Sequence, residues 1–300
     1  MEENFEKLVE RVINGLEKSD LERIDYYFKN ICDNTIVTGV GGSNVVSNYL
    51  SKVLGSKNNI ICTSLEPRDA AYINLQLYKN IISCSYGGRN YGVDFCFNND
   101  LNKYLFSFGK REGINNITYV VDDEEKSFIS ISATLLPMAI ALNYYTDGDK
   151  NLILEILNDT FCEDIQKDSI FEIMSGYESN TASIYLDSTL TESGIAIPLI
   201  HHKYDYCHGR STTSYNNSNS LIYFNGNKEL DFLMLQELEK YYNQIIKIDF
   251  KYKDYVVNDF YLTYKSMLLT RKLAEVCNKD LSKVQYSPVV KKLYRYRGEM

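Results

Sequence analysis

The chain has 300 residues, of which 44% are hydrophobic and 24% charged, and its formal net charge at pH 7 is −8. That length and apolar content suffice for one large domain or two small domains with buried cores, which excludes a disordered chain. The acidic balance and the lack of a long basic run argue against a nucleic-acid-binding groove, while a local basic pocket is compatible with them.

The cysteines and the N-terminus exclude further classes of protein. The seven cysteines are scattered and none forms a CxxC pair, so we expect neither a zinc site nor a disulfide framework. The N-terminal stretch MEENFEKLVERVINGLE is acidic and helical in pattern, unlike a signal peptide, and no apolar run is long enough to span a membrane. We therefore expect a cytoplasmic protein without a membrane or nucleic-acid partner.

Two short helices come first, FEKLVERVINGLE and DLERIDYYFKNI, and Ser19 is the predicted N-cap of the second. Strand-like and helical segments then alternate through the first half of the chain. In order they are TIVTGV, a helix from about residue 44 to 54, NIICTSLE, the helix DAAYINLQLY, NIISCS, ITYVVDD and the helix ISATLLPMAIALNYY. Such alternation predicts a mostly parallel, doubly wound sheet.

A second cycle starts near residue 181, after an acidic segment at 150–178 that we expect to be helical. Its segments are ASIYLDS, LTESGI, AIPLIHH, a short helix, SLIYFN, the helix KELDFLMLQELEKYY, QIIKIDF and the helix DFYLTYKSMLLTRKLAEVC. The similar starts TIVTGVGGSN and ASIYLDSTLT indicate two diverged halves. The predicted fold class is α/β, with two doubly wound, mostly parallel-sheet, flavodoxin-like subdomains. We expect N-terminal helices at 1–33, a first domain at 34–178 and a second domain with a C-terminal tail at 179–300.

Two glycine-rich stretches follow predicted strands, at the edge where α/β sheets bind ligands. The first, GVGGSN, contributes Gly41, Gly42 and Ser43, and the second, SCSYGGRN, contributes Ser83, Ser85, Gly87, Gly88, Arg89 and Asn90. Bare backbone, hydroxyls and a guanidinium are groups that hold phosphate. The alternatives are a tight turn capped by Ser43 or Asn44, and a surface hairpin. Because neither stretch has a Walker GK[ST] or a full GxGxxG, a monophosphate is the predicted ligand.

The stretch ESGIAIPLIHHKYDYCHGRST combines Glu192 with all three histidines of the chain, and with Asp205 and Arg210. The histidines lack the spacing of HExxH or of HxH on an evident strand, so no metal is predicted. Glu192 as base and His208 as acid suit proton transfer beside a carbonyl. The residues alone leave two plain alternatives open, a solvated helix face for Glu192 and a locally hydrogen-bonded His208.

Five segments follow one another along the chain: GVGGSN, EPRDA, SCSYGGR, TLTESGIAIPLIHHKYDYCHGRST and SLIYFNGNKELDFLMLQELEKYYNQIIKI. In their order and motifs they resemble the sugar isomerase (SIS) family. In particular, they are similar to the double-SIS isomerase half of glucosamine-6-phosphate synthase and to related deglycases and deaminases, most clearly from about residue 181 to 250. In that family a catalytic Glu precedes the His of an E-x-K-H-G-P segment by sixteen positions. Glu192 and His208 have the same spacing.

The resemblance implies an enzyme that isomerises, deaminates or deglycates a phosphorylated sugar or amino sugar, without a cofactor. Glu192 would move a proton between adjacent sugar carbons, His208 would assist ring opening, and Lys291 or Lys292 of the tail would reach the carbonyl. The family commonly completes each site with a His from a neighbouring chain, which implies a homodimer. The apolar helix DFYLTYKSMLL is the predicted dimer contact.

The sequence also departs from the family pattern. The family's phosphate loop usually reads S-x-S-G-E-T, whereas SYGGRN has Gly87 in place of the second Ser and ends in Arg89 and Asn90. Arg210 stands where the family often has Pro. The alternative function is a non-catalytic SIS sensor that binds a sugar phosphate or a nucleotide-like ligand. Glu192, His208 and a tail lysine together favour the enzyme, while a phosphate loop alone is compatible with either function.

Overall fold

The computed structural model describes residues 2–125, 127–216, 218–283 and 289. The strands are β1 Thr35–Thr38, β2 Cys62–Leu65, β3 Asn80–Cys84, β4 Asn102–Ser107, β5 Asn115–Thr118, β6 Ile170–Ser175, β7 Ile197–His202, β8 Ser220–Asn225 and β9 Gln244–Asp249. The helices are α1 Glu2–Glu6, α2 Leu8–Lys18, α3 Leu21–Lys29, α4 Gly42–Asn58, α5 Tyr91–Cys96, α6 Ser132–Tyr145, α7 Lys150–Leu157, α8 Asn180–Ser193, α9 Ser211–Asn216, α10 Glu229–Leu238 and α11 Tyr255–Val276. No helix in the described ranges has both the length and the apolar composition needed to cross a membrane.

The strands form two sheets, and every strand pair in both is parallel. The first sheet has the order β2-β1-β3-β4-β5 and the second has the order β7-β6-β8-β9. In each sheet the chain starts in an inner strand, adds one neighbour on one side, and then continues on the other side. This is the doubly wound order, and the predicted α/β class with two parallel sheets is confirmed.

The first strands of the first sheet show why the sequence folds this way. The segments TIVT of β1 and NIISC of β3 are buried along their whole length. A strand that is covered by helices on both faces takes an almost continuous run of apolar and small residues, which both segments have. Helix α6 is likewise buried along nearly its whole length, so it has no polar stripe.

The two halves share one hydrophobic core. Helices α4, α6, α8 and α11 pack against one another, and the core includes the fully buried side chains of Val53, Leu142, Leu186 and Phe260. Helix α11 contains the segment DFYLTYKSMLL, and it packs on α8 of its own chain with most of its side chains buried. This helix is therefore not available as the predicted dimer contact.

The start of the second half differs from the prediction. The segment IFEIMS, expected to be helical, is β6 at the centre of the second sheet, and the predicted strand ASIYLDS lies within α8. The strand was missed because it carries Glu172, whose fully buried carboxylate is hydrogen bonded rather than solvated. The counterpart of TIVTGVGGSN is therefore IFEIMSGYESN. Since β6 belongs to the second sheet, the second half begins before residue 170, upstream of the predicted boundary at 178/179.

Three smaller elements also differ from the sequence-based expectation. The segment DAAYINLQLY forms two short 3₁₀ turns instead of a helix, and Asn74 separates them by accepting a hydrogen bond from the backbone N–H of Gln76. Strand β4 was not predicted. The N-cap of α3 is Asp20, whose Oδ1 accepts from the N–H of Arg23, while the Ser19 hydroxyl donates to the carbonyl of Gly15 instead.

Candidate functional site at the edge of the first sheet

The first glycine-rich loop connects β1 to the N-terminus of α4. Gly41 is the N-cap of this helix, with φ 60° and ψ −131°, and no side chain caps the helix. The alternative in which Ser43 or Asn44 caps the turn is therefore not observed. A Cβ at Gly39 would lie 2.0 Å from the carbonyl oxygen of Ser43, so only glycine fits there. At the start of α4 only Gly41 is exposed, and the N–H groups of Ser43 and Asn44 bond to the carbonyls of Val40 and Gly41.

The second glycine-rich loop follows β3. Ser83 and Ser85 are both buried at the carboxyl end of the strand, and Gly88 has a positive φ of 68°. The side-chain oxygen of Asn90 accepts from the N–H of Gly92 at 2.8 Å, which turns the chain into α5. Arg89 is exposed, and its guanidinium has no ion-pair partner among the described residues. The loop has the shape of a turn, and the positive charge of Arg89 is not paired with a carboxylate of the described residues.

The two loops meet because β1 and β3 are neighbours in the sheet. A small cavity of about 10 Å³ lies between them, and Ser43, Ser83 and Asn90 all line it. This point, where the strand order reverses, is the usual ligand position in open α/β sheets. The cavity has room for about one water-sized group. A phosphorylated sugar does not fit inside it and can only lie above its mouth.

Sequence reasoning missed a third component of this edge, the N-terminus of α6. A Cβ on Gly42 would lie 2.6 Å from the Cβ of Ser130 and 2.9 Å from Oγ1 of Thr134. Glu125 caps the helix by accepting from the N–H groups of Ile131 and Ala133, both at 2.9 Å. Burial raises the pKa of Glu125, and hydrogen bonds from the start of α6 oppose that shift. The sequence signal was the hydroxyl-rich run SFISISAT, which precedes and opens the helix.

Glu192 lies at the C-terminal end of α8, just before Gly194 ends the helix in a left-handed conformation. Its side chain is half-buried, and Oε1 accepts a hydrogen bond from the hydroxyl of Ser188 at 2.7 Å. Burial raises the pKa of Glu192, and the Ser188 hydrogen bond only partly offsets this. A carboxyl group with a raised pKa in a partly open position suits a general base.

His208 lies in an irregular π-type segment, Tyr206–Arg210, that follows β7 and contains Gly209 at φ 96°. The imidazole is exposed. Glu192 precedes the first residue of β7 and His208 follows its last, and a strand of six residues spans roughly 17–20 Å. Within one chain the structure therefore places these two predicted site residues beyond opposite ends of β7. Lys291 and Lys292 lie outside the described residues.

The other histidines have separate environments. His202 is exposed at the end of β7, whereas His201 is buried with its Nε2 atom 3.2 Å from Oε2 of Glu172. Glu172 also accepts hydrogen bonds from the side chains of Ser214, Asn219 and Tyr242 at 2.6–2.8 Å. Among the described residues, no three His, Cys, Asp or Glu side chains converge as a metal site.

No family model matches the sequence, and no curated protein matches it either. Solved structures do match. The structure of tagatose-6-phosphate ketose/aldose isomerase from Escherichia coli superposes with a TM-score of 0.70 at 14% identity, covering 95% of this chain and 95% of that one. The fold is that of phosphosugar isomerases.

Two further solved structures have the same fold. Glucosamine-6-phosphate deaminase from Thermotoga maritima has a TM-score of 0.67 and 12% identity, covering 90% of this chain and 94% of that chain. The C-terminal domain of glucosamine-fructose-6-phosphate aminotransferase from Francisella tularensis has a TM-score of 0.69 and 13% identity, covering 93% and 96%. The phosphosugar-isomerase fold thus extends over nearly the whole chain, in agreement with the fold that the resemblance to the SIS family implied.

Proposed function

We propose that the chain is a phosphosugar enzyme of the SIS type that isomerises, deaminates or deglycates a phosphorylated sugar or amino sugar. The observation that carries this proposal is the meeting of the two glycine-rich loops, with Ser43, Ser83 and Asn90, at the point where the first sheet reverses its strand order. The names of the solved structures with this fold, a tagatose-6-phosphate isomerase and a glucosamine-6-phosphate deaminase, support the choice of substrate class.

In this proposal the phosphate lies above the cavity mouth. The bare backbone at Gly41 and Gly42, the hydroxyls of Ser43 and Ser85, and the exposed guanidinium of Arg89 supply donors to its oxygens. Ser83 and Asn90 line the cavity below, and Gly87 and Gly88 let the loop backbone approach the ligand. The sugar then extends away from the sheet, because the cavity is too small to hold it.

Glu192 is the proposed base. It removes the proton from C2 of the open-chain aldose phosphate and returns it to C1, while the hydroxyl proton passes from O2 to O1 through the enediol, so that the carbonyl moves from C1 to C2. Burial raises its pKa, which makes the carboxylate a stronger base than an exposed Glu. His208 is the proposed group for ring opening, and Lys291 or Lys292 is the proposed contact of the carbonyl.

The separation of Glu192 and His208 within one chain gives the proposal a second part. If both act on one substrate, His208 comes from a second copy of the chain, and the enzyme is a homodimer with shared sites. The exposed position of His208 supports this arrangement, because an exposed imidazole on an irregular segment is accessible to a neighbouring chain.

The sensor alternative is favoured by one specific observation. The edge of the first sheet at which we propose phosphate binding is formed by one chain alone, whereas Glu192 and His208, the proposed proton-transfer groups, lie on elements of the second half. A chain that stays monomeric would therefore bind the ligand but would not bring both Glu192 and His208 to it. The oligomeric state and the chemistry at C2 decide between the two functions.

Solvent deuterium exchange, at C2 of glucosamine-6-phosphate and at C1 of tagatose-6-phosphate, tests the enzyme proposal, because these carbons carry the hydrogen next to the carbonyl. We expect the wild-type chain to catalyse exchange on at least one of them, and Glu192→Gln to slow it by about 10²-fold or more without weakening binding, since only the base is lost. Asp187→Asn, which removes another carboxyl from α8, is the matched control and should exchange at the wild-type rate. Exchange that Glu192→Gln leaves unchanged would contradict the role of Glu192 as the base, and no exchange by the wild-type chain on either substrate would favour the sensor.

Subunit complementation tests the shared site. Glu192→Gln and His208→Asn chains are each expected to be impaired, and mixing them after partial unfolding should restore activity in hybrid dimers that contain one intact site. Mixtures that stay as inactive as the separate variants would contradict the shared site while leaving the role of Glu192 open to the exchange measurement.

A further inference from the structure

A second cavity lies at the opposite side of the first sheet from β2, between the N-terminal helices and the edge strand β5. Its volume is about 390 Å³, within the range of about 300–1,000 Å³ that is typical of small-molecule sites. Residues of α2, α3, the β4–β5 loop and β5 itself line it. It shares no lining residue with the cavity between the two glycine-rich loops.

Three cationic side chains line this cavity although the whole chain has a net charge of −8. Lys18 forms an ion pair with Asp122 at 2.7 Å. Arg23 and Lys110 come from opposite walls, and neither side chain has an ion-pair partner among the described residues. The one carboxylate in the lining, Asp20, is already used as the N-cap of α3. As an N-cap Asp20 keeps its negative charge, so the lining has an excess of positive charge, with three cationic side chains against this one carboxylate.

The edge strand adds backbone donors. The N–H of Tyr119 donates to the carbonyl of Ser107, so it points toward β4. Successive residues of a strand point their N–H groups to opposite sides, and the N–H groups of Asn116, Thr118 and Val120 therefore point away from β4. The hydroxyl of Ser19 accepts from Val120 at 2.9 Å. The N–H groups of Asn116 and Thr118, together with the carbonyls of the same residues, are left facing the cavity that these residues line.

Donors and positive charges on two walls fit an anion with more than one charged group. We propose that this cavity binds a diphosphate group, either free or esterified to a nucleoside. Arg23 and Lys110 hold the two phosphates from opposite sides, and the outward N–H groups of β5 bind the remaining oxygens. The ring of Tyr27 in the same lining gives a nucleoside an aromatic surface to pack on. The site is separate from the proposed phosphosugar site and does not depend on it.

Calorimetric titration of the full chain with inorganic pyrophosphate and with ADP, in low-salt buffer without phosphate, tests this proposal. We expect saturable binding of at least one probe, and an affinity at least about tenfold lower in the Arg23→Gln/Lys110→Gln chain, because two charge-assisted contacts are lost. Lys253→Gln/Lys279→Gln, which removes two exposed charges elsewhere, is the matched control and should bind as the wild type does. Tighter binding of ADP than of pyrophosphate identifies a nucleoside diphosphate, and equal binding identifies the diphosphate alone.

The following results would overturn the diphosphate proposal. No saturable binding of either probe overturns the proposal, and so does an affinity that the Arg23→Gln/Lys110→Gln chain retains. Loss of binding in Arg89→Gln, at the phosphosugar site, with no loss in the Arg23→Gln/Lys110→Gln chain would assign the probe to that other site. That result would overturn the diphosphate site and leave the proposed function intact.

Discussion

Gly42 and Gly55 lie at the two ends of α4, and an added methyl group has opposite consequences at the two positions. At Gly42 a Cβ would meet Ser130 at 2.6 Å, because α4 and α6 begin side by side. At Gly55 the nearest atoms would lie 3.6 Å away, which is ordinary van der Waals contact. Close packing at the first position is what brings the start of α6 to the candidate site.

We predict that Gly42→Ala lowers the free energy of unfolding by about 1–3 kcal/mol through overpacking. Gly55→Ala should raise it by up to about 1 kcal/mol, since alanine favours the helix and reduces the freedom of the unfolded chain. Urea unfolding of both variants measures the difference. Equal effects would show that α4 and α6 do not approach as closely as described.

At the scale of elements, buried polar groups hold the irregular segment around His208 in place. Glu172 on β6 accepts from Ser214 on α9, and the Tyr206 hydroxyl donates to Ser214 and contacts Tyr242. Burial alone would raise the pKa of Glu172, but contacts from His201 and the hydrogen bonds from Ser214, Asn219 and Tyr242 outweigh it and lower the pKa to about 2. The carboxylate therefore ties α9 and the preceding segment to the sheet.

This lowered pKa predicts acid sensitivity. The native carboxyl binds its proton less readily than the unfolded one, whose ordinary value is 4.5, so its contribution is complete above about pH 4.5 and is lost as the pH falls toward 2. A shift of that size corresponds to about 3 kcal/mol. We expect wild-type stability to fall by about that much more than the stability of Glu172→Gln between pH 5 and 2. Parallel pH profiles of the two urea-unfolding free energies would contradict this role.

Glu172 also explains why some strands could be predicted from the sequence and β6 could not. The runs TIVT and NIISC could be recognised as strands because most of their positions are apolar or small. The structure brings Ser43, Ser83 and Asn90 of the loops that follow them to one cavity, and their role as phosphate ligands stays a prediction. The strand IFEIMS could not, since the hydrogen bonds that compensate Glu172 come from residues more than 40 positions away. The strand between Glu192 and His208 was predicted as AIPLIHH, and it is β7 in the structure.

At the scale of the whole molecule, a buried ion pair joins the two halves. Lys52 of α4 is bonded to Asp259 of α11 and donates to the carbonyl of Tyr177 at 2.7 Å, in the loop that follows β6. The side chains of Lys52 and Asp259 are only 2% and 0% exposed. Removing one partner leaves a charge buried without compensation.

We predict that Lys52→Met lowers the free energy of unfolding by about 3–5 kcal/mol, and that Lys52→Met/Asp259→Leu recovers most of the loss, since no charge is then left unpaired. Urea unfolding of the single and double variants is the measurement. A double variant as unstable as the single one would show that the pair itself, rather than the isolated charge, determines how the halves are joined.

The central claim is that a phosphorylated sugar binds at the edge of the first sheet, and a crystal structure of the chain with glucosamine-6-phosphate tests it most directly. We predict the phosphate above the cavity mouth between Ser43 and Ser85, within hydrogen-bond distance of the loop backbone and of the Arg89 guanidinium. A phosphate bound elsewhere, with the SYGGRN loop packed against protein and closed to the ligand, would contradict the account.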